Sequence, residues 1–474
     1  MNRVKIVATI GPASAHAGKL RELKDAGMAI ARLNGSHATL DWHAETIRLI
    51  RETLPDVPIL LDIPGRKIRT AQLSFEPSFQ AGDIIILTTE PNHTGNPKIS
   101  IGSQTLHRHV SVGDRIVADD GTLHFDVAAL DGPDIHCHAL VPGKLKSRKG
   151  INVPGVDLGA ALVTDRDREM MAFAREKGVD FVGISFVESA AHVAAIRELT
   201  GGTWPRIISK IENRGGIDNM EAVVAVTDGV MIDRGDLSVE TEYQMLAIYQ
   251  KQILDCARAH GKPVIVATEM LHSMIENPFP TKAEVSDISN AVLDGCAATM
   301  LSGETAVGNY VVDAVRVMAT VSKTVDAFWQ DKHNSAPDRA GVVSVPQAME
   351  GAVELICREL PISKIVAITL GGYAARMVSA RRPRQQIIAV SNDPVAARSF
   401  NLLAGTTGVY MDVNINRTSS EHIPIVLENL WRQGLLVDED LVLVTGLTYP
   451  SPGDRMNLIE THYVKNLRDV FDWR

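Results

Sequence analysis

Short apolar runs alternate along the chain with longer segments in which apolar residues recur every three or four positions. The runs are Lys5–Ile10, Ile30–Asn34, Ile59–Asp62, Phe181–Phe186, Arg206–Ile211, Gly229–Arg234, Pro263–Thr268 and Ala297–Ser302. They are rich in Ile, Val, Leu and Ala with few polar interruptions, the texture of parallel strands covered on both faces. Asp165–Lys177, Ser189–Leu199 and Val239–Ala259 carry the helical period. Strands joined by helical crossovers in this way predict an α/β fold, a (β/α)8 barrel.

The rhythm breaks once inside the barrel. Between the third and fourth runs, Ile84–Leu87, Arg115–Ala118, His124–Val127 and Ile135–Ala139 alternate at period two, and turn residues punctuate them: Ala81-Gly82-Asp83, Val112-Gly113-Asp114, Asp119-Asp120-Gly121 and Asp131-Gly132-Pro133. This predicts a small β-barrel cap domain inserted in a barrel loop. After the eighth run a helical pattern reaches Asp331, and Lys332–Arg339 reads as a linker. Lys364–Leu370, Gln386–Ser391 and Leu441–Thr445 then predict a C-terminal open-sheet α/β domain. The expected division is residues 1–69 with 153–335 for the barrel, 70–152 for the cap and 336–474 for the last domain.

Composition agrees with three domains, since the chain has 474 residues and domains average about 150. Lys+Arg number 48 and Asp+Glu 57, a net charge of −9. That argues against nucleic-acid or anionic-membrane partners but leaves room for a local basic pocket. Cys137, Cys256, Cys296 and Cys357 form no CxxC pair, so a zinc ribbon or disulfide scaffold is not expected. No run of about 18 apolar residues predicts a membrane span. The N-terminal residues run straight into a strand and do not resemble a signal peptide, so a cytoplasmic protein is expected.

Barrel chemistry gathers where strands end, and the strand ends here are polar. They read Arg32-Leu33-Asn34-Gly35-Ser36-His37 after the second, Asp62 with Lys67 and Arg69 after the third, and Lys210-Ile211-Glu212-Asn213 after the fifth. Asp233-Arg234-Gly235-Asp236, Thr268-Glu269 and Ser302-Gly303-Glu304-Thr305 follow the sixth, seventh and eighth. Glu212 and Asp236 could share one hard divalent cation. Arg32, Lys210 and Arg69 could face a phosphate. A metal with positive charges around a small anion suits phosphoryl transfer. His107-Arg108-His109 and His136-Cys137-His138 have ligand-like spacing but read as solvent-facing strand positions, and Asp438-Glu439-Asp440 reads as a solvated loop.

These strand ends resemble the pyruvate kinase family over nearly the whole chain. The resemblance rests on Lys5–Ser14, Arg32-Leu33-Asn34 with Ser36-His37, Ile207-Ile208-Ser209-Lys210-Ile211-Glu212-Asn213, Arg234-Gly235-Asp236-Leu237, Ala267-Thr268 with Met270-Leu271, and Met300–Ala306. It implies Mg²⁺-dependent phosphoryl transfer from phosphoenolpyruvate to ADP, giving pyruvate and ATP, with Mn²⁺ as a substitute ion. It also implies that Glu212 and Asp236 hold the metal and that Lys210 lies along the phosphoryl group, with Arg32 on its other side. Gly235, Asp236 and Thr268 would hold the substrate carboxylate, with Thr268 near the proton path. Pro12, Arg32, Asn34, His37, Lys149 and Asp120 would lie toward the nucleotide, and a homotetramer is implied.

Departures from the family pattern are specific. The motif Asp62-Ile63-Pro64-Gly65-Arg66-Lys67-Ile68-Arg69 has Lys67 where the family usually has Glu and Ile63 where it has Thr. In potassium-dependent members K⁺ sits near that Glu; here Asn34, Ser36, Asp62 and Ile63 are the equivalents of its site and the Lys67 ammonium is expected to replace it, so K⁺ should not be required. Asp233, Glu269, Glu188 and Gly35 replace Ala, Gln, Arg and Phe. Unpaired, the acids would repel phosphoenolpyruvate, unless Asp233 pairs with Lys67 or Arg66. Two alternatives therefore stay open: transfer to or from a different phosphorylated enol or hydroxy acid, and a catalytically reduced regulatory relative. Leu370-Gly371-Gly372-Tyr373 lacks the hydroxyls and Arg of sugar-phosphate-activated members, which argues against that activation.

Overall fold

The computed structural model describes residues 2–119, 121–156, 162–332, 345–416, 418–448 and 456–474. Strands Lys5–Thr9, Met28–Asn34, Ile59–Ile63, Phe181–Ile184, Arg206–Ile211, Gly229–Asp233, Val264–Ala267 and Ala298–Leu301 form a closed parallel barrel in chain order. The first strand closes the ring on the eighth, with Lys5 opposite Ala298.

Side chains alternate along these strands, and the alternation builds the site. One set (Ile6, Leu33, Leu61, Val182, Ile207 and Val266) packs outward against helical residues such as Leu20, Ile47, Ile196 and Ile253. The other fills the barrel interior: Val7, Ile30, Leu60, Phe181, Ile208, Met231 and Ile265 form an apolar layer joined by Leu402 of the C-terminal domain. Two residues further along the same strands, on the same inward face, stand Thr9, Arg32, Asp62, Lys210 and Asp233. The interior thus changes from apolar to charged as the strands approach their C-terminal ends. Gly183 makes room for this, because a Cβ there would lie 2.1 Å from Asp62 Oδ1.

The segment expected as one helix, Val239–Ala259, is interrupted. A helix over Arg234–Glu240 ends at extended Thr241, whose hydroxyl donates to the Leu237 carbonyl; a 3-10 turn over Tyr243–Met245 precedes the helix Leu246–Ala259. The cap is a mixed sheet of seven strands, with Ile68–Arg69 and Lys98–Ser100 at its edges. Those edges meet through a Thr70–Ile101 bridge and an Ala71 N–H donated to the Ser100 carbonyl at 2.9 Å, so the sheet curls back on itself. The C-terminal sheet has five strands in the order Thr406–Tyr410, Gln386–Ser391, Lys364–Ile368, Leu441–Gly446 and Leu458–Tyr463, only the last antiparallel. Its two edge strands, TTGVY and LIETHY, are too polar to stand out as buried runs.

Three local expectations need correction. His107 lies in a 3-10 turn, with His109 at its cap, and not on a strand. Asp440 is buried and pairs with Lys364 at 2.7 Å, while Asp438 accepts from Trp431 Nε1 at 2.9 Å, so the acidic run is only partly solvated. The expected linker and Asp120 fall, almost wholly and wholly, outside the described residues. No helix among the described residues is long and apolar enough to cross a membrane.

Candidate active site

The mouth of the barrel holds a buried, cross-linked set of charges. Arg32 donates from Nε and Nη2 to Asp62 Oδ2 at 3.0 and 2.7 Å, and from Nη1 to Thr9 Oγ1 at 3.0 Å. Lys210 Nζ lies 3.0 Å from Glu212 Oε2, 3.0 Å from Asp233 Oδ2 and 3.9 Å from Asp62 Oδ2. Lys67 reaches in from the loop after the third strand to pair with Asp236, its ammonium 5.6 Å from the Phe186 ring centre. Three cations thus face four carboxylates, Asp62, Glu212, Asp233 and Asp236, and one negative charge is unmatched.

That imbalance shows in the proton affinities. Burial alone would lower the Lys210 pKa, but Glu212, Asp233 and Asp62 outweigh it and raise the value, so the side chain stays an ammonium. Burial pushes Glu212 up to about 8, against the pull of Lys210 and with a further push from Asp233 and Asp236. Burial also raises Asp236, with Asp233 adding to it. Asp233 is held low despite burial, because Lys210 bonds it directly.

Two buried oxygens in this set lack a hydrogen bond: Asp62 Oδ1 and Glu212 Oε2, the latter facing only the Lys210 ammonium. The other Glu212 oxygen accepts from the Phe186 amide at 2.7 Å. Unmet buried acceptors are costly unless something is to occupy them. Ligand oxygens of Glu212, Asp233 and Asp236 all lie within 4.8 Å of one another. All three donors are hard oxygens, and this set fits a small divalent cation.

The seventh strand ends in strain. Thr268 has φ 68° and Glu269 φ 55°, a conformation that costs on the order of 1–3 kcal/mol for a residue with a side chain. Arg234 fixes the bend, donating to the Thr268 carbonyl at 2.7 Å while pairing with Asp287 at 2.6 Å. The bend aims Thr268 Oγ1 at the mouth, where it accepts from the Gly235 amide at 2.9 Å and donates to the Ala267 carbonyl at 2.6 Å. Glu304 braces the same rim from the eighth strand, accepting from the Leu271 and Ser302 amides at 3.1 and 2.7 Å.

The family model described as "Pyruvate kinase, barrel domain" matches residues 1–315, and that described as "Pyruvate kinase, alpha/beta domain" matches 347–462. The chain belongs to the pyruvate kinase family. Among curated relatives, "Pyruvate kinase" of Bacillus licheniformis is 37% identical, the alignment covering 98% of this chain and 81% of that protein. "Pyruvate kinase 2" of Synechocystis sp. is 39% identical over 98% and 79%, and "Pyruvate kinase" of Thermococcus litoralis 35% identical over 94% and 95%. A crystal structure of a pyruvate kinase from Cryptosporidium parvum superposes with a TM-score of 0.85 at 32% identity, covering 98% of this chain and 96% of that one. Membership of the pyruvate kinase family makes the chain a phosphotransferase.

The mouth brings together Arg32, Asp62, Lys67, Lys210, Glu212, Asp236, Gly235 and Thr268. The rim residues stand apart from it: Pro12, Ser36 and His37 are exposed, Asn34 Oδ1 caps the Ser36 amide at 3.1 Å, and Lys149 pairs with Asp119 at 2.6 Å. Partial desolvation of the ring, with Arg69 and Arg32 nearby, lowers the His37 pKa although the residue as a whole is exposed. Arg69 donates to the Arg148 carbonyl at 3.2 Å. Of the fates left open for Asp233, the structure shows pairing, but with Lys210 and not with Lys67 or Arg66; Arg66 pairs with Glu188 at 2.6 Å. Glu269 is exposed. Gly35 is forced by contact, since a Cβ would lie 2.4 Å from the Asp62 carbonyl oxygen. Thr9, and Ser185, whose hydroxyl accepts from Lys210 Nζ at 3.4 Å, are not foreseen in the cluster, and Asp233, expected near the substrate, is not foreseen as its third ligating carboxylate. The inward alternation that ends in Thr9 and Asp233 was the signal that could have found two of them.

Proposed function

We propose that this chain transfers the phosphoryl group of phosphoenolpyruvate to ADP at the mouth of its barrel, releasing pyruvate and ATP. The observation that carries this reading is the Lys210–Glu212–Asp233–Asp236 set: counted with Arg32, Lys67 and Asp62 it has one carboxylate more than it has cations, and Glu212 Oε2 makes no hydrogen bond. Glu212 and Asp236, joined by Asp233, would hold Mg²⁺ or Mn²⁺. When bound, such an ion neutralises charge on the phosphoryl oxygens. Lys210 keeps its proton, so its part is a fixed positive charge along the transferring group and not proton donation. Arg32, held rigid by Asp62 and Thr9, supplies a second fixed charge. The Gly235 amide, the backbone at Asp236 and Thr268 Oγ1 would take the substrate carboxylate, exchanging their present mutual bond for it, and leave Thr268 beside the carbon that accepts a proton. Pro12, Asn34, His37 and Lys149 would line the nucleotide side under the cap, whose closure would expel water.

The departures from the family pattern favour the same substrate. Asp233 pairs with Lys210 and Glu188 with Arg66, so neither carboxylate faces the substrate side without a cation beside it. Lys67 brings its ammonium to Asp236, which supports a reaction without K⁺. The test is pyruvate formation from phosphoenolpyruvate, ADP and Mg²⁺. Turnover removed by a chelator and restored by Mg²⁺ is expected; no turnover, with activity on another phosphorylated acid, would replace this reading with the alternative substrate.

A further inference from the structure

A second cluster of ligating side chains lies on the outside of the barrel, away from the mouth. Glu221 stands in the helix Met220–Val226. Cys256 and His260 are four residues apart at the end of the helix Leu246–Ala259, and so lie on one face of it. Cys256 Sγ is 3.1 Å from Glu221 Oε2, and His260 Nε2 is 3.3 Å from Glu221 Oε1. One ligand atom from each residue lies within 4.8 Å of the other two. Donors around a tetrahedral zinc, each about 2.0–2.3 Å from the metal, stand roughly 3.3–3.8 Å apart. The two contacts to Glu221, 3.1 Å to Oε2 and 3.3 Å to Oε1, lie at the short end of that range, and the three-atom set stays within 4.8 Å.

The hydrogen bonding of His260 decides what this cluster lacks. Its Nδ1 sits 3.1 Å from the Cys256 carbonyl oxygen. A carbonyl only accepts, so Nδ1 carries the hydrogen and in the neutral ring Nε2 presents a lone pair. In the neutral ring that lone pair faces a carboxylate oxygen, acceptor against acceptor, a clash that either a proton on Nε2 or a bound cation removes. A ring nitrogen bonded to a backbone carbonyl with the other turned to a ligand set is the usual support of a metal-bound histidine. Burial and the Glu221 carboxylate push the Cys256 thiol up to about 12, so without a metal it stays protonated.

We propose that Glu221, Cys256 and His260 form a binding site for one divalent cation of the Zn²⁺ class, with water as the fourth ligand. A thiol and an imidazole select such an ion over Mg²⁺. The thiolate and the carboxylate balance its two charges, and binding releases the thiol proton to solvent. The bound ion ties the helix Met220–Val226 to Leu246–Ala259 next to Gly261, where an added Cβ would collide with Met377 Sδ of the C-terminal domain. This site is independent of the phosphoryl-transfer reading.

The test titrates the full chain with Co²⁺ in excess Mg²⁺, so that the hard carboxylates of the mouth are occupied. One equivalent should produce a thiolate-to-cobalt charge-transfer band, and Zn²⁺ should abolish it. Cys256→Ser should lose the band, and His260→Gln should weaken binding at least tenfold, with circular dichroism unchanged in both. Zn²⁺ should raise the melting temperature of the parent chain and leave that of Cys256→Ser unchanged. Absence of the band in the parent chain, or its persistence in Cys256→Ser, would overturn the site and leave the cluster as side chains that contact one another only.

Discussion

The two ends of the barrel treat buried charge in opposite ways. At the base, Asp180 precedes the fourth strand with a fully buried side chain. Its Oδ2 accepts from Arg51 at 2.5 Å and the Ile59 amide at 2.8 Å, and its Oδ1 accepts from Arg398 of the C-terminal domain at 3.0 Å. Both oxygens are met, and the group stitches the third strand, a barrel helix and the C-terminal domain together. At the mouth, Asp62 and Glu212 are as deeply buried, yet each keeps an oxygen with no hydrogen bond, and carboxylates outnumber cations. A satisfied buried ion holds the fold; an unsatisfied one is arranged around what it is to receive. This is the division between stability at the N-terminal face and function at the C-terminal face of such barrels.

Removing the central cation of the mouth should have the largest effect. Lys210→Met is expected to lower kcat/KM for phosphoenolpyruvate on the order of a thousandfold or more, as loss of one fixed charge on a transferring group does. Near-parental turnover would erase the distinction between the two ends. Asp180→Ala should do the converse. Urea unfolding should report a loss of about 3–5 kcal/mol, because two arginines lose their buried partner, while kcat per folded molecule stays unchanged.

His192 sharpens the contrast, since an unmet buried group need not await a ligand. Its ring nitrogens make no well-formed hydrogen bond, and burial, helped by Arg66 and opposed by Asp167 and the Phe186 backbone, depresses its pKa from 6.5 to about 4. The neutral ring is therefore the folded form. Its stability contribution is complete above pH 6.5 and is lost as pH falls toward 4, roughly 3 kcal/mol in all. Melting temperatures across that range should fall in the parent chain and fall less in His192→Phe. The smallest effect is expected from potassium: at constant ionic strength, KCl should change the rate less than about twofold, because Lys67 already brings a charge to the mouth. Strong activation would show that the Lys67 ammonium does not do the cation's work.

The barrel was legible because its strands are covered on both faces, and continuous apolar runs such as Arg206–Ile211 have few other readings. The edge strands Thr406–Tyr410 and Leu458–Tyr463 were not, because an edge tolerates polar residues. The break at Thr241 was hidden by an apolar period that continues across it. At the site, Lys210, Glu212 and Asp236 were readable from strand ends and motif. The partner of Asp233 was not, since sequence gives the face of a strand but not the distance across a barrel. The same limit concealed the Glu221–Cys256–His260 cluster, of which only the spacing of Cys256 and His260 is written in the chain.

On the proposed function, the carboxylates of the mouth receive a divalent cation. Mn²⁺ binding, read from water-proton relaxation, tests it most directly in the parent chain, Glu212→Gln and Asp180→Asn. One Mn²⁺ site is expected, weakened at least tenfold in Glu212→Gln and unchanged in Asp180→Asn. Equal affinity in the parent chain and Glu212→Gln would contradict it.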